Sequence, residues 1–134
     1  MTIFTKIINK EIPATILYED DDVLAFLDIA QCTKGHTLVI PKTFSKDFLD
    51  TDVEVLKKVV SVAHMLANKI KDNLHPSGIN ILSNAGEQAG QGVFHYHLHI
   101  IPRYDENDGI SITYKENPNQ DLEAIAQEIK KGSE

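Results

Sequence analysis

From Phe94 to Ile100 the chain alternates strictly between apolar residues and histidine. Phe94, Tyr96, Leu98 and Ile100 share one parity, and His95, His97 and His99 share the other. A period of two belongs to a β-strand, whose successive side chains point to opposite faces, so a strand is predicted over Phe94 to Pro102. The apolar parity belongs in a core. The second face is then a row of imidazoles whose Cα atoms follow one another at roughly 6.6 Å. Three of the chain's six histidines lie within the five residues His95 to His99, so the row is a concentrated feature rather than polar filler.

The remaining periodicities supply a frame for that strand. Thr2 suits the N-cap of a short helix over Ile3 to Ile8, and Pro13 interrupts it. Thr15 to Glu19 and Val23 to Asp28 read as a hairpin around the acidic turn Asp20-Asp21-Asp22. Gly35 to Pro41 reads as a third strand, ended by proline. Val55, Leu56, Val59, Ala63, Leu66, Ala67 and Ile70 recur at helical spacing and predict a long amphipathic helix over Thr51 to Asn73. Gly78 to Ser83 is a fourth strand. A glycine-rich loop, Asn84 to Gly92, leads into the histidine strand, the fifth. Asp105 to Pro118 reads as irregular. Asn119 to Lys131 reads as a last helix with Leu122, Ile125, Ala126 and Ile129 on one face. Strands and helices do not alternate regularly. That favours an α+β fold, an antiparallel five-stranded sheet with one long packed helix, a short N-terminal helix and a C-terminal helix. The expected division is a main domain at 1–104 and a C-terminal extension at 105–134.

Composition narrows the function. A net charge of −7 argues against a nucleic-acid backbone or an anionic membrane as partner, since either requires a basic stripe. A small phosphate ligand needs only a few local donors and stays open. The single cysteine, Cys32, cannot form an internal disulfide, and nothing points to an oxidising compartment. Met1 to Lys10 reads as neither signal peptide nor anchor, and no apolar run approaches the roughly 20 residues of a membrane span. The expected location is the cytoplasm.

A row of imidazoles suits phosphoryl chemistry. Neutral imidazole is a good nucleophile at pH 7, and a protonated neighbour can donate to phosphate oxygens or to a leaving group. The preceding loop contains Gly86, Gly90 and Gly92, which allow backbone N–H groups to converge on an anion, with side-chain amides from Asn84 and Gln91. The residues alone leave a second reading level with the first. Two histidines at i, i+2 on a strand can chelate zinc, with a third ligand such as His36. His64 on the long helix, His75 before proline and Cys32 between strands read as packed or solvated residues without chemistry. The acidic run Glu19 to Asp22 lacks the spacing and glycine of a calcium loop.

The segment Gln91-Gly92-Val93-Phe94-His95-Tyr96-His97-Leu98-His99 resembles the signature of the histidine triad superfamily, in which three histidines alternate with apolar residues. Three more segments agree in order. Ile3-Phe4-Thr5-Lys6-Ile7 with Glu11-Ile12-Pro13-Ala14 resembles the N-terminus of its nucleotide-binding branch, Leu24 to Ile29 its ribose-contacting strand, and Gly35 to Lys42 the strand with its fourth histidine. The likeness spans about Thr2 to Arg103.

The resemblance implies a purine nucleotide hydrolase or transferase acting at the α-phosphate of nucleoside 5′-monophosphate derivatives: phosphoramidates, adenylates or dinucleotide polyphosphates. His97 would attack phosphorus, His99 would meet the phosphate or leaving group, and His95 and His36 would orient the network. Asp28 would bind the ribose hydroxyls. Ile3, Phe4, Ile7, Phe26 and Ile29 would line a slot for the base. Asn84, Gln91, Gly92 and Val93 would hold the phosphate. The family forms homodimers and its chemistry needs no cofactor. Two departures stand out. Gly92 replaces a hydroxyl residue common among nucleotide-binding members. Thr2 and Thr5 replace a Cys-x-x-Cys that forms part of a structural zinc site in some bacterial members, so no metal is expected. A nucleotide-sensing module with little catalysis, or a histidine-ligated metal protein, are the rival functions.

Overall fold

The computed structural model describes residues 2–132. Met1, Ser133 and Glu134, at the ends of the N-terminal segment and the C-terminal extension, lie outside the described residues. The elements follow in the order α1 (Ile3–Ile8), β1 (Ile16–Glu19), β2 (Val23–Leu27), β3 (Thr37–Pro41), α2 (Val53–Leu74), β4 (Gly78–Leu82), β5 (Leu98–Arg103) and α3 (Leu122–Lys130). The five strands form one antiparallel sheet in the order β1-β2-β3-β5-β4. This is the expected α+β architecture, with most boundaries moved by a residue or two.

Local chemistry explains where the helices begin. The Thr2 hydroxyl accepts from Thr5 N–H at 3.2 Å, and the Thr5 hydroxyl receives Thr2 N–H in return, a reciprocal cap on α1. Asp52 caps α2 by accepting from Glu54 N–H at 3.0 Å, and His75 closes it in the left-handed region at φ 57°.

Both faces of the central strands are covered, which is why β2 and β3 read as unbroken apolar runs. Val23, Ala25, Val39, Leu98 and Ile100 face α2 and meet Val59, Val62, Ala63, Leu66 and Ile70. Leu24, Phe26, Leu38 and Ile40 face the other way and meet Phe4 and Ile7 of α1. Each fully buried aliphatic side chain contributes about 1.5–3 kcal/mol. The long helix therefore anchors one face, while the short α1 covers only part of the other. The candidate site residues gather on that second, thinly covered face.

Two expectations need correcting here. The histidine strand does not begin at Phe94. Paired β5 starts at Leu98, where its pairing with β3 runs out at Val39↔Leu98, although β3 itself continues to Pro41. The segment before it is held by other means: Tyr96 N–H donates to Ser45 C=O at 2.8 Å, and the Ser83 hydroxyl donates to His97 C=O at 2.7 Å. Phe94 is not in the core either. It is exposed, whereas Tyr96, Leu98 and Ile100 are buried as expected. The C-terminal helix α3 has no buried residue.

Candidate active site

The register of β3 against β5 assembles the site. Leu38 pairs with His99, so His36, two residues before Leu38, falls on the same face beside it. His36 Nε2 lies 2.9 Å from His99 Nδ1. His97 follows along the row, its ring centroid 4.9 Å from that of His99. Phe4 of α1 packs edge-on against both His97, at 5.0 Å, and His95, at 5.8 Å. The three imidazoles thus share one face although only His99 lies on a paired strand.

Hydrogen bonds assign the protons on two rings. His97 Nδ1 is 2.7 Å from the carbonyl of His95. A carbonyl can only accept, so Nδ1 carries the hydrogen and the neutral ring keeps its lone pair on Nε2. Among the described residues Nε2 has no hydrogen-bond partner. His97 is buried as a residue, yet Nε2 is not fully sealed, since Thr33 Oγ1 is the one completely buried side-chain polar atom left without a partner there. His95 is fully buried. Its Nε2 donates to Pro41 C=O at 3.2 Å, so its Nδ1 accepts from the Thr2 hydroxyl at 3.2 Å.

Burial holds all four histidines below the ordinary imidazole value, because desolvation disfavours the charged form. His99 is moved furthest, down to about 4, by burial first and then by its neighbours His97 and His36. For His36 and His97 the Asp28 carboxylate opposes the shift. At neutral pH the row is a set of neutral rings.

Asp28 follows β2, and its Oδ2 lies 3.7 Å from His36 Nδ1. The loop between them is closed by Gln31, whose Nε2 donates to Asp28 C=O at 2.6 Å and His36 C=O at 2.8 Å, and whose Oε1 accepts from Gly35 N–H at 2.8 Å. Cys32 brings its Sγ to 3.4 Å from His36 Nδ1. Its sequence neighbourhood offered no sign of this, and neither did that of Gln31.

Beside the histidines opens a cleft of about 540 Å³. Its walls include Ile3, Phe4, Ile7, Phe26, Asp28 and Ile29, the residues expected to meet a base and ribose. Ile12, Pro13 and Gln31 also contribute. Phe4 and Phe26 pack edge to face at 5.6 Å, leaving aromatic and aliphatic surface suited to a flat apolar guest.

The glycine-rich loop behaves differently from its reading as a uniform anion cradle. Gln91 is buried and its amide is consumed by the backbone: Oε1 accepts from Gly86 N–H at 2.8 Å, and Nε2 donates to Lys46 C=O at 2.8 Å and Val93 C=O at 3.1 Å. It shapes the loop, where direct contact with phosphate was expected. Gly86 and Gly90 adopt φ of 98° and 97°, around the short 3₁₀ turn Glu87–Ala89. Asn84 makes one long bond, 3.4 Å, to Gly90 C=O. Val93 packs against the cluster of Phe4 and Ile7. Gly92 is exposed, and a Cβ there would meet no atom within 4 Å.

A chelate of His95 with His97 lacks one arm, because both nitrogens of His95 are engaged, Nε2 by Pro41 C=O and Nδ1 by the Thr2 hydroxyl. The residues at the place of a structural zinc do not fit one: Thr2 and Thr5 offer hydroxyls 3.3 Å apart, and Phe44 packs its ring on His95 at 5.3 Å.

A family model, the HIT domain, matches residues 9–106. The chain belongs to the HIT family. Protein hit of Bacillus subtilis is 47% identical over 133 residues, covering 96% of this chain and 92% of that one. A HIT family protein from Bacillus anthracis superposes with a TM-score of 0.90 at 50% identity, covering 95% of this chain and 93% of the other. A histidine triad nucleotide-binding protein from Candida albicans superposes with a TM-score of 0.86 at 32% identity, covering 97% and 95%. The alternating histidines of this HIT protein lie within the matched residues and are set in the family's fold.

Proposed function

We propose that this HIT protein is a purine nucleotide hydrolase or transferase that works through a nucleotidyl-histidine intermediate. One observation carries the reading: the 2.7 Å bond from His97 Nδ1 to the carbonyl of His95 leaves a lone pair on Nε2 of a neutral ring with no partner among the described residues. That is the form a nucleophile requires. The base occupies the apolar cleft, and the Asp28 carboxylate accepts from the ribose hydroxyls. Backbone N–H groups of the Asn84 to Val93 loop, together with the Asn84 amide, hold the α-phosphate. Nε2 of His97 forms a bond to phosphorus as the bond to the amine, carboxylate or phosphate leaving group breaks. The leaving group takes up a proton supplied by solvent water and passed through the neutral His99–His36 pair, each ring receiving a proton at one nitrogen as it gives one up at the other. Water then cleaves the phosphorus–nitrogen bond, releasing the mononucleotide and free His97. His95, locked by Thr2 and Pro41, positions the segment.

Exposed Val53 and Val60 on α2 and Leu122 and Ile129 on α3 supply apolar surface for a second copy, so the homodimer belongs to the proposal, as does a cytoplasmic location. Among the described residues no helix is long and apolar enough to cross a membrane. The test is incubation of an AMP phosphoramidate with wild type and His97→Ala. Turnover falls by at least about 10³-fold in the variant; equal turnover refutes the assignment. The open, hydroxyl-free position at Gly92 favours a nucleotide-sensing role as the second reading. Tight AMP binding by calorimetry with negligible wild-type turnover selects it.

A further inference from the structure

We propose that Asp28, His36 and His99 form a binding site for a borderline-soft divalent cation such as Zn²⁺, whose occupancy excludes nucleotide. Each of these residues offers one ligand atom, and the three atoms lie within 4.8 Å of one another. Zinc bonds of 2.0–2.2 Å to nitrogen and oxygen place tetrahedral ligands roughly 3.3–3.5 Å apart. With one ligand atom taken from each residue the spacing is wider, up to 4.8 Å, because His36 turns opposite nitrogens to its two neighbours, Nε2 to His99 Nδ1 at 2.9 Å and Nδ1 to Asp28 Oδ2 at 3.7 Å. Closure needs ring rotation, and the His36–His99 hydrogen bond is exchanged for coordination.

The framework is stiff. His99 is on β5, His36 directly precedes β3, and Asp28 follows β2, all tied by the sheet and the Gln31 clamp. Cys32 Sγ, 3.4 Å from His36 Nδ1, is within reach as a fourth donor; otherwise water completes the shell. Two imidazoles and a carboxylate suit zinc, whereas magnesium and calcium demand oxygen. His97 is not among the three residues whose ligand atoms gather within 4.8 Å.

Only the exclusion of nucleotide rests on the function proposed above. A cation on Asp28 removes the acceptor assigned to ribose and immobilises the His99 relay. The cation site itself stands independently of that reading.

The experiment titrates ZnCl₂ into metal-free full-length protein against a chromogenic chelator, with no nucleotide present. Wild type takes up one ion per chain. His36→Ala and Asp28→Asn each weaken binding by at least about tenfold, while His64→Ala, on the exposed face of α2, does not; circular dichroism establishes that each variant is folded. Absence of stoichiometric zinc, or equal weakening by His64→Ala, overturns the site. In a separate arm AMP binding is measured with and without saturating Zn²⁺. Zinc raises the dissociation constant for AMP at least about tenfold, and binding of both without mutual weakening overturns the exclusion. Zinc uptake without AMP binding in metal-free protein defeats the nucleotide reading and leaves the cation site. AMP binding without zinc uptake does the reverse.

Discussion

Replacing Gly109 by alanine probes how the segment after β5 sets the geometry of the histidines. Gly109 N–H donates to Cys32 C=O at 2.9 Å. A Cβ at 109 would sit 2.4 Å from that same carbonyl oxygen and 3.2 Å from Cys32 Cα and carbonyl carbon. Relief requires a shift of about 1 Å, since ordinary contact begins near 3.3 Å. The segment has little freedom to supply it. Arg103 pairs with Asp108 at 3.0 Å and donates to Ile110 C=O at 2.9 Å, and Tyr104 Oη donates to Lys34 C=O at 2.7 Å. The loop bearing Cys32 therefore yields and carries His36 with it, four residues on. A shift of that size breaks the 2.9 Å contact between His36 and His99. Overpacking and the lost hydrogen bond together destabilise the fold by about 1–3 kcal/mol. A catalytic group displaced by about 1 Å costs up to roughly 100-fold in turnover. Urea unfolding, steady-state hydrolysis of an AMP phosphoramidate and ring-nitrogen NMR of His36 and His99 measure the three effects. Lower stability with unchanged turnover and unchanged ring resonances would show that the 104–110 segment gives way instead, and would refute the coupling.

Three further outcomes are expected. Acid weakens the fold through the buried histidines. His99 has a folded pKa near 4 against 6.5 for the free ring, so its contribution is intact above about pH 6.5 and lost as pH falls towards 4; at pH 5.5 it costs about 1 kcal/mol after allowance for solvent. Urea curves at pH 7.5 and 5.5 for wild type and His99→Gln test this, and an equal acid loss in both would count against it. Ile100→Ala, at a fully buried position facing α2, destabilises by about 2–5 kcal/mol in chemical denaturation, and a loss under 1 kcal/mol would contradict the packing. Gly92→Ser enters open space, so stability changes by less than about 0.5 kcal/mol, while phosphoramidate turnover rises relative to wild type. A fall in turnover would show that a hydroxyl at this position does not assist the reaction.

Much of this molecule was legible in one dimension. The alternation around His97 announced which parity enters the core, and the spacing of Val59, Ala63, Leu66 and Ile70 announced α2, because burial periods of 2 and 3.6 follow from backbone geometry alone. Thr2 as N-cap was equally local, a side chain reaching a donor three residues away. The base-lining residues were readable only through resemblance, since a pocket wall and a core edge share the same apolar composition.

Other features depended on contacts far apart in the chain. His36 meets His99 across 63 residues, and the β3–β5 register alone decides that they are neighbours. Gln91 turned inward because unpaired loop carbonyls at Lys46 and Val93 needed a donor. Cys32 came to a histidine, and Gly109 to a carbonyl, through loops whose course carries no periodic signal. Sequence alone determined which side chains seek the interior and which imidazoles share a face. Tertiary structure decided which polar atoms find each other there, because hydrogen bonding is directional and short-ranged while hydrophobic patterning is neither.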